Sequence, residues 1–342
     1  MTGFRRIVTA PALKAHTTGG FIFTQDLPES RVFTELRVGD ALMELRRLPD
    51  RFARCILTSP PYRAKFCYGV PGECGLEPTL DGYLGYLTDV GRELRRIATD
   101  DANFFLVIGD TYNGSGGPGG DFGQKYAHAT GGPKENGLPV KSQLLVPERL
   151  RIALSSVGWV PRLRAIWNKE DARRGAVDRP SYSYEEVLIF SASPKHYWNR
   201  EAVLTPFKQA SKSQLSGTYN GKARREHNDG TDDPSELKRR MIAGMQKRQG
   251  ALLKAVWNIS SGSQPVVKVD GEDVHGIASF PQLLADICIS IGSAPGDVVV
   301  DPFVGMGTTM LAATKLGRQS LGIELSERFA AAAEHRMKDA GF

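Results

Sequence analysis

The stretch Val298-Val299-Val300-Asp301-Pro302-Phe303-Val304-Gly305-Met306-Gly307-Thr308-Thr309 decides the fold. Its three successive valines read as a buried strand, and the glycines behind them permit a tight turn that brings backbone close to a ligand. A helix is expected from about Thr308 to Leu316, its N-terminus offered to an anionic or electron-rich group. A second strand, Gln319 to Leu325, carries Glu324, 19 residues after Gly305. That is the spacing at which nucleotide-binding βαβ units set a carboxylate on ribose hydroxyls. Strand, turn, helix, strand and acid in register predict a nucleotide-type ligand. Met310 stands where the third glycine of a dinucleotide fingerprint would fall, which argues against a dinucleotide.

Far upstream, Cys55-Ile56-Leu57 runs into Thr58-Ser59-Pro60-Pro61-Tyr62. Two prolines fix φ near −65° and contribute no N–H, so the Ser59 hydroxyl and the Pro60 carbonyl form a rigid, acceptor-rich edge. Such an edge suits the polarisation of an amine whose lone pair is delocalised into a ring. Tyr62 adds a flat face on which an extruded base can stack. Taken alone, the tetrapeptide reads equally well as an ordinary proline-rich turn. Its position favours the chemical reading: it follows a β-like run, and one amphipathic helix earlier lies Gly39-Asp40, with Leu42, Leu45 and Leu48 at helical spacing.

At these residues the chain resembles the S-adenosylmethionine-dependent amino-methyltransferases of bacterial restriction-modification systems. Thr58-Ser59-Pro60-Pro61-Tyr62 is similar to that family's catalytic motif in its cytosine-N4 version, and Asp301 to Thr309 is similar to its cofactor motif. The catalytic motif comes first, as in the circularly permuted β group. The resemblance implies that Ser59 and Pro60, stiffened by Pro61, hold the target amine while Tyr62 stacks on the flipped base. It also implies that Asp301, Pro302, Phe303, Gly305, Gly307 and Thr308 line the methionine end of S-adenosylmethionine, Glu324 its ribose and Asp40 its adenine. His275, Phe280 and Pro281 are similar to a remaining cofactor-side motif. Two departures stand out: Met306 between the glycines, and Arg63-Ala64-Lys65-Phe66-Cys67 after the catalytic tyrosine. Adenine enzymes of the family carry Asp or Asn where this chain has Ser59, so adenine N6 is the alternative target. A catalytically inactive DNA-binding partner with the same fold is the alternative from another class.

Residues 199–250 hold eleven Lys or Arg against six acids, nearly the whole excess of a chain with formal charge +6. Within it Lys222, Arg224, Arg225, Lys238, Arg239, Arg240, Lys247 and Arg248 are the candidate DNA contacts, since cations neutralise phosphates and a few polar side chains read base edges. A solvated insertion with helical charge runs would look the same. Residues 113–137 hold nine glycines; a lid or DNA-clasping loop, with Lys125 and Lys134 on phosphate, and an unstructured insertion both fit.

The remaining signals set the frame. Strands near Cys55–Leu57, Asn103–Ile108, Val160–Ile166 and Glu186–Ser191 alternate with helices such as Leu80–Ile97 and Pro147–Ser156, which predicts an α/β fold, a mainly parallel sheet covered on both faces. A further helix is expected after Ser279 as cap, with Leu284, Ile287, Cys288 and Ile291 on one face. The expected division is an N-terminal arm at 1–30, a catalytic half at 31–198, a target-recognition insertion at 199–250 and a cofactor-binding half at 251–342. Four cysteines without paired metal spacing predict reduced thiols and no metal site. With Arg5 and Arg6 but no apolar core, the first residues do not read as a signal peptide, and no run of 18 apolar residues reads as a membrane span. Double-stranded DNA, a companion restriction endonuclease, a monomeric or dimeric state and a bacterial or archaeal cytoplasm complete the expectations.

Overall fold

Apolar runs bounded by turn residues become strands in the computed structural model, which describes residues 3–63, 69–114, 134–135, 137–169, 178–208 and 247–342. The first half contributes β1 (Phe4–Ala10), β2 (His16–Thr18), β3 (Phe21–Phe23), β4 (Ser30–Val38), α1 (Ala41–Arg46), β5 (Ala53–Thr58), α2 (Leu80–Ile97), β6 (Ala98–Ile108) and α3 (Val146–Ser156). Then come β7 (Val160–Asn168), β8 (Tyr184–Ser191), β9 (Val203–Thr205), β10 (Ala251–Leu252), β11 (Val256–Asn258), β12 (Val266–Val269) and β13 (Glu272–His275). The chain ends with α4 (Gln282–Gly292), β14 (Val298–Asp301), α5 (Thr308–Lys315), β15 (Gln319–Glu324) and α6 (Glu327–Asp339).

Nine strands form one sheet in the order β1-β4-β15-β14-β5-β6-β8-β7-β11. Its centre, β4-β15-β14-β5-β6, is parallel throughout, and β8 is the antiparallel strand that lets β7 return beside it. This is the α/β architecture expected from the sequence. Side chains alternate across the sheet with period two. Ile56, Phe104 and Leu106 pack with Leu87, Leu94, Leu150 and Leu154 of α2 and α3 on one face. On the other face Cys55 and Phe105 meet α4, so closely that a Cβ on Gly292 would stand 2.5 Å from the Phe105 ring.

On α2, Tyr83, Leu87, Val90, Leu94 and Ile97 lie in the core, with Leu84 half-buried beside them. The cap of α4 differs from expectation. Pro281, extended at φ −68° and ψ 150°, occupies the N-cap, and Ser279 lies two residues before it.

The expected arm at 1–30 is not an arm. Strand β1 pairs antiparallel with β4 along its full length, from Phe4 opposite Leu36 to Ala10 opposite Ser30. Residues Lys14–Asp26 group with the described residues of Asn199–Leu253 in a second compact unit. The reason is strand pairing: Ile22 of β3 lies opposite Leu204 of β9, and β10-β9-β3-β2 make an antiparallel sheet of their own. Among the described residues, no helix is long and apolar enough to cross a membrane.

Candidate active site

Strands β14 and β5 are parallel neighbours, with Val300 opposite Ile56, so the loops that follow them leave the same sheet edge. They are tied together there. The Thr58 hydroxyl donates to Asp301 Oδ1 at 2.6 Å, the Thr309 hydroxyl donates to Oδ2 at 2.6 Å, and the Phe303 amide donates to Oδ1 at 3.0 Å. Burial pushes the Asp301 carboxyl up to about 6, against the pull of these three donors toward the charged form. Asp301 is therefore a knot between the two motifs, its oxygens already engaged within the protein.

Around the knot opens a cleft of about 930 Å³, counting the part continuous with solvent. Ten of the expected residues border it: Asp40, Ser59, Pro61, Phe280, Asp301, Pro302, Phe303, Gly305, Thr308 and Glu324. Gly305 has φ +54°, and the space where a Cβ would stand is open. Gly307, at φ +81°, is a packing glycine instead: a Cβ there would lie 3.1 Å from that of Ala333, and the residue is outside the cleft lining. Glu324 closes the floor. Its Oε2 accepts the Gly305 amide at 2.9 Å and its Oε1 the Ser326 amide at 2.8 Å, while burial raises its pKa to about 7.

Asp40 does two local jobs as well as facing the cleft. Its Oδ1 caps α1 through the Met43 amide at 2.9 Å, and its Oδ2 accepts the Tyr86 hydroxyl at 2.9 Å. Tyr86, Cys74, Ile277 and Phe329 also line the cleft without having been singled out by the sequence. Tyr86 sits one residue before Leu87 on α2, on the flank of a helix whose stripe reads as core, so nothing local marked it.

The Ser-Pro-Pro-Tyr segment divides. Ser59 and Pro61 face the cleft, Pro60 borders a smaller space behind the loop beside Phe104 and Leu106, and the Pro61 carbonyl accepts the Tyr83 hydroxyl at 3.0 Å. Tyr62, expected as a stacking face for a base, is buried here. It is only 3% exposed, and its hydroxyl donates to Glu185 Oε2 at 2.6 Å. Its ring lies where Gly109 leaves room, since a Cβ at 109 would stand 3.0 Å from it. Burial first, then the Glu185 charge, hold the phenol well above its usual pKa.

His275, exposed on β13, and Pro281, at the cap of α4, do not line the cleft although Phe280 does. Arg63 is buried, its guanidinium donating to the Glu77 carbonyl at 2.7 Å and to Glu135 Oε1 at 2.5 Å. Of the eight candidate DNA contacts, Lys222, Arg224, Arg225, Lys238, Arg239 and Arg240 lie outside the described residues, as do Lys125 and most of the glycine-rich stretch. Lys247 is exposed, whereas the Arg248 side chain is 16% exposed and lies 3.7 Å from Glu201.

The DNA methylase family (N6_N4_Mtase) matches residues 53–335. The type II methyltransferase M.SmaI of Serratia marcescens is 31% identical over 332 residues, which cover 95% of this chain and 99% of that protein. M.Cfr9I of Citrobacter freundii is 33% identical over 305 residues, 88% of this chain and 86% of its own. In fold, the chain is similar to TTHA0409 of Thermus thermophilus, solved with S-adenosyl-L-methionine, at TM-score 0.52 and 22% identity over 90% of this chain and 95% of that one. The cytosine-N4-specific PvuII DNA methyltransferase gives TM-score 0.52 and 17% identity over 90% of each chain.

Proposed function

This chain belongs to the DNA methylase family, and on that premise we propose that it moves the methyl group of S-adenosylmethionine onto the exocyclic N4 of a cytosine in specific duplex DNA. The observation that supports the reading is the Thr58–Asp301 hydrogen bond, which ties the loop of Ser59 to the loop of Gly305 where both border one cleft. The residues fit the donor. Glu324 offers a half-buried carboxylate to the ribose diol, Phe280 and Phe329 give apolar walls, Gly305 leaves backbone open, and Asp40 would face the adenine. When bound, S-adenosylmethionine supplies a methyl group on a positively charged sulfur.

The chain's own work is positioning. Ser59 Oγ, facing the cleft, accepts a hydrogen of the amine and pulls its nitrogen toward tetrahedral geometry, and no covalent enzyme intermediate is required. Cys55, Cys74 and Cys288 are buried, with thiols whose pKa burial raises, which is the wrong setting for a nucleophile. A base inside duplex DNA reaches such a cleft only by leaving the stack. Incubation with tritiated S-adenosylmethionine and a random-sequence duplex library, followed by mass analysis of the nucleosides, is expected to yield N4-methylcytosine. N6-methyladenine in its place would move the target to adenine, and no label in DNA would remove the reading.

For the basic segment at 199–250 we propose that its cations neutralise phosphates. Arg239→Ala with Arg240→Ala is expected to weaken duplex binding and reduce the slope of log affinity against log salt by roughly two, about 0.9 for each phosphate no longer neutralised. A slope equal to the wild type would take these arginines off the DNA.

A further inference from the structure

The anionic end of S-adenosylmethionine meets a cleft whose own lining offers it no cation. Four acids, Asp40, Glu73, Asp301 and Glu324, border the cleft, and among the described residues no lysine, arginine or histidine does. The cofactor's sulfonium and ammonium suit such walls, and its carboxylate does not. A cation stands one hydrogen bond behind them. Arg336, in the last turn of α6, donates from Nη1 to the Met306 carbonyl at 2.5 Å and to Thr308 Oγ1 at 3.2 Å, and both of those residues border the cleft. Close packing brings it there: a Cβ at Gly307 would lie 3.1 Å from that of Ala333, three residues before Arg336 on the same side of α6. Lys338, in the same last turn, is exposed, pairs with Glu334 at 3.0 Å and serves the helix dipole from outside. Arg336 is different. It is half-buried, desolvation lowers its pKa, and among the described residues no carboxylate offsets its charge. Burying an unpaired guanidinium is costly, which is accounted for if an anion arrives beside it.

We propose that Arg336, acting through the Thr308 hydroxyl, supplies the positive counterpart to the methionine carboxylate of S-adenosylmethionine and is a positioning residue for the cofactor. The inference rests on the reading above, in which the cleft takes S-adenosylmethionine with its methionine end at the glycine turn. The donor directions agree with it. A guanidinium can only donate, so Thr308 Oγ1 is the acceptor in their bond and keeps its own hydrogen for another acceptor. Polarised by the guanidinium, that hydroxyl donates to the carboxylate. The charge behind it offsets the repulsion that four acids exert on an incoming anion. Arg336 also fixes the Met306 carbonyl, so the turn that presents Thr308 is held by the same side chain.

The test is calorimetric titration with S-adenosylmethionine and with decarboxylated S-adenosylmethionine, which keeps the sulfonium and the ammonium and lacks only the carboxylate. The wild type is expected to bind the intact cofactor about 10- to 100-fold more tightly, the worth of hydrogen bonding to a charged group. Arg336→Met keeps the apolar stem and loses the charge. It should weaken the intact cofactor by about tenfold or more and leave the decarboxylated one nearly as in the wild type. Thr308→Val should collapse the preference in the same way, and Arg336→Lys, which keeps a charge, should retain part of it. Unchanged affinity for the intact cofactor in Arg336→Met would overturn the assignment. Equal losses toward both ligands would overturn it too, since they would make Arg336 a brace of the turn and nothing more, and so would an Arg336→Lys protein as unselective as Arg336→Met. If Arg336→Met does not fold, the Thr308→Val ratio decides by itself. A wild type that binds both ligands equally would sink the carboxylate assignment and leave the cofactor site standing. One that binds neither would remove the cofactor site, and the role of Arg336 with it.

Discussion

Replacing Ser59 by alanine is expected to slow methyl transfer by about 10²–10³-fold, the cost of removing one preorganised partner of a developing charge, while S-adenosylmethionine binds nearly as before. The two effects separate because the side chains that touch the two reactants are different. Ser59 stands on the loop after β5, whereas Glu324, Gly305 and Phe280 come from the far side of the cleft and do not depend on its hydroxyl for their places. Asp301, the knot between the loops, is held by Thr58, Thr309 and the Phe303 amide, none of which the substitution touches. Single-turnover rates and calorimetric titration with the cofactor measure both quantities on the same preparation. A fall in cofactor affinity as large as the fall in rate would mean that Ser59 serves the donor rather than the amine.

How much of this was legible beforehand depends on the range of the interactions involved. The unit from β14 through α5 to β15 closes on itself within 27 residues, so its valine strand, glycine turn and terminal acid announce the cofactor side directly. Asp40 was pointed to by the resemblance and by its place beside an amphipathic helix, and its cap on that helix emerges only from the structure. The partner of Tyr62 was not legible, because Glu185 lies 123 residues away on a strand that reads as plain core. Strands β2 and β3 were invisible because three-residue strands have no periodicity to read, and their partner β9 enters only near residue 203. Pro281 shows a subtler limit. Ser279 reads as the cap by residue type, yet the extended backbone of Pro281 makes that residue the cap, two positions later, a difference that residue type does not fix.

Glu324 makes the cofactor affinity a function of pH, with a sign set by its surroundings. Burial lifts its carboxyl to about 7, and the amides of Gly305 and Ser326 only partly offset that. Ribose hydroxyls donate hydrogen bonds and so favour the ionised form; a cofactor that binds this form must displace a proton at low pH. Affinity for S-adenosylmethionine is therefore expected to rise by roughly tenfold between pH 6 and pH 8 and then level off. The sign for folding is opposite. A carboxyl whose folded pKa lies above its unfolded one contributes stability that is complete below the ordinary carboxylate range and is lost as the pH climbs through about 7. Glu324→Gln cannot titrate, and its amide nitrogen would confront one of two backbone donors, Gly305 or Ser326, that now share the carboxylate. It should weaken cofactor binding at pH 8 by about 10–100-fold, the worth of hydrogen bonds to a charged acceptor, and flatten the pH dependence. Calorimetry on both proteins at pH 6, 7 and 8 reads the two effects together. A wild-type affinity that does not change over this range would mean that the acid on the floor of the cleft is already ionised before the ribose arrives, or that the ribose binds elsewhere.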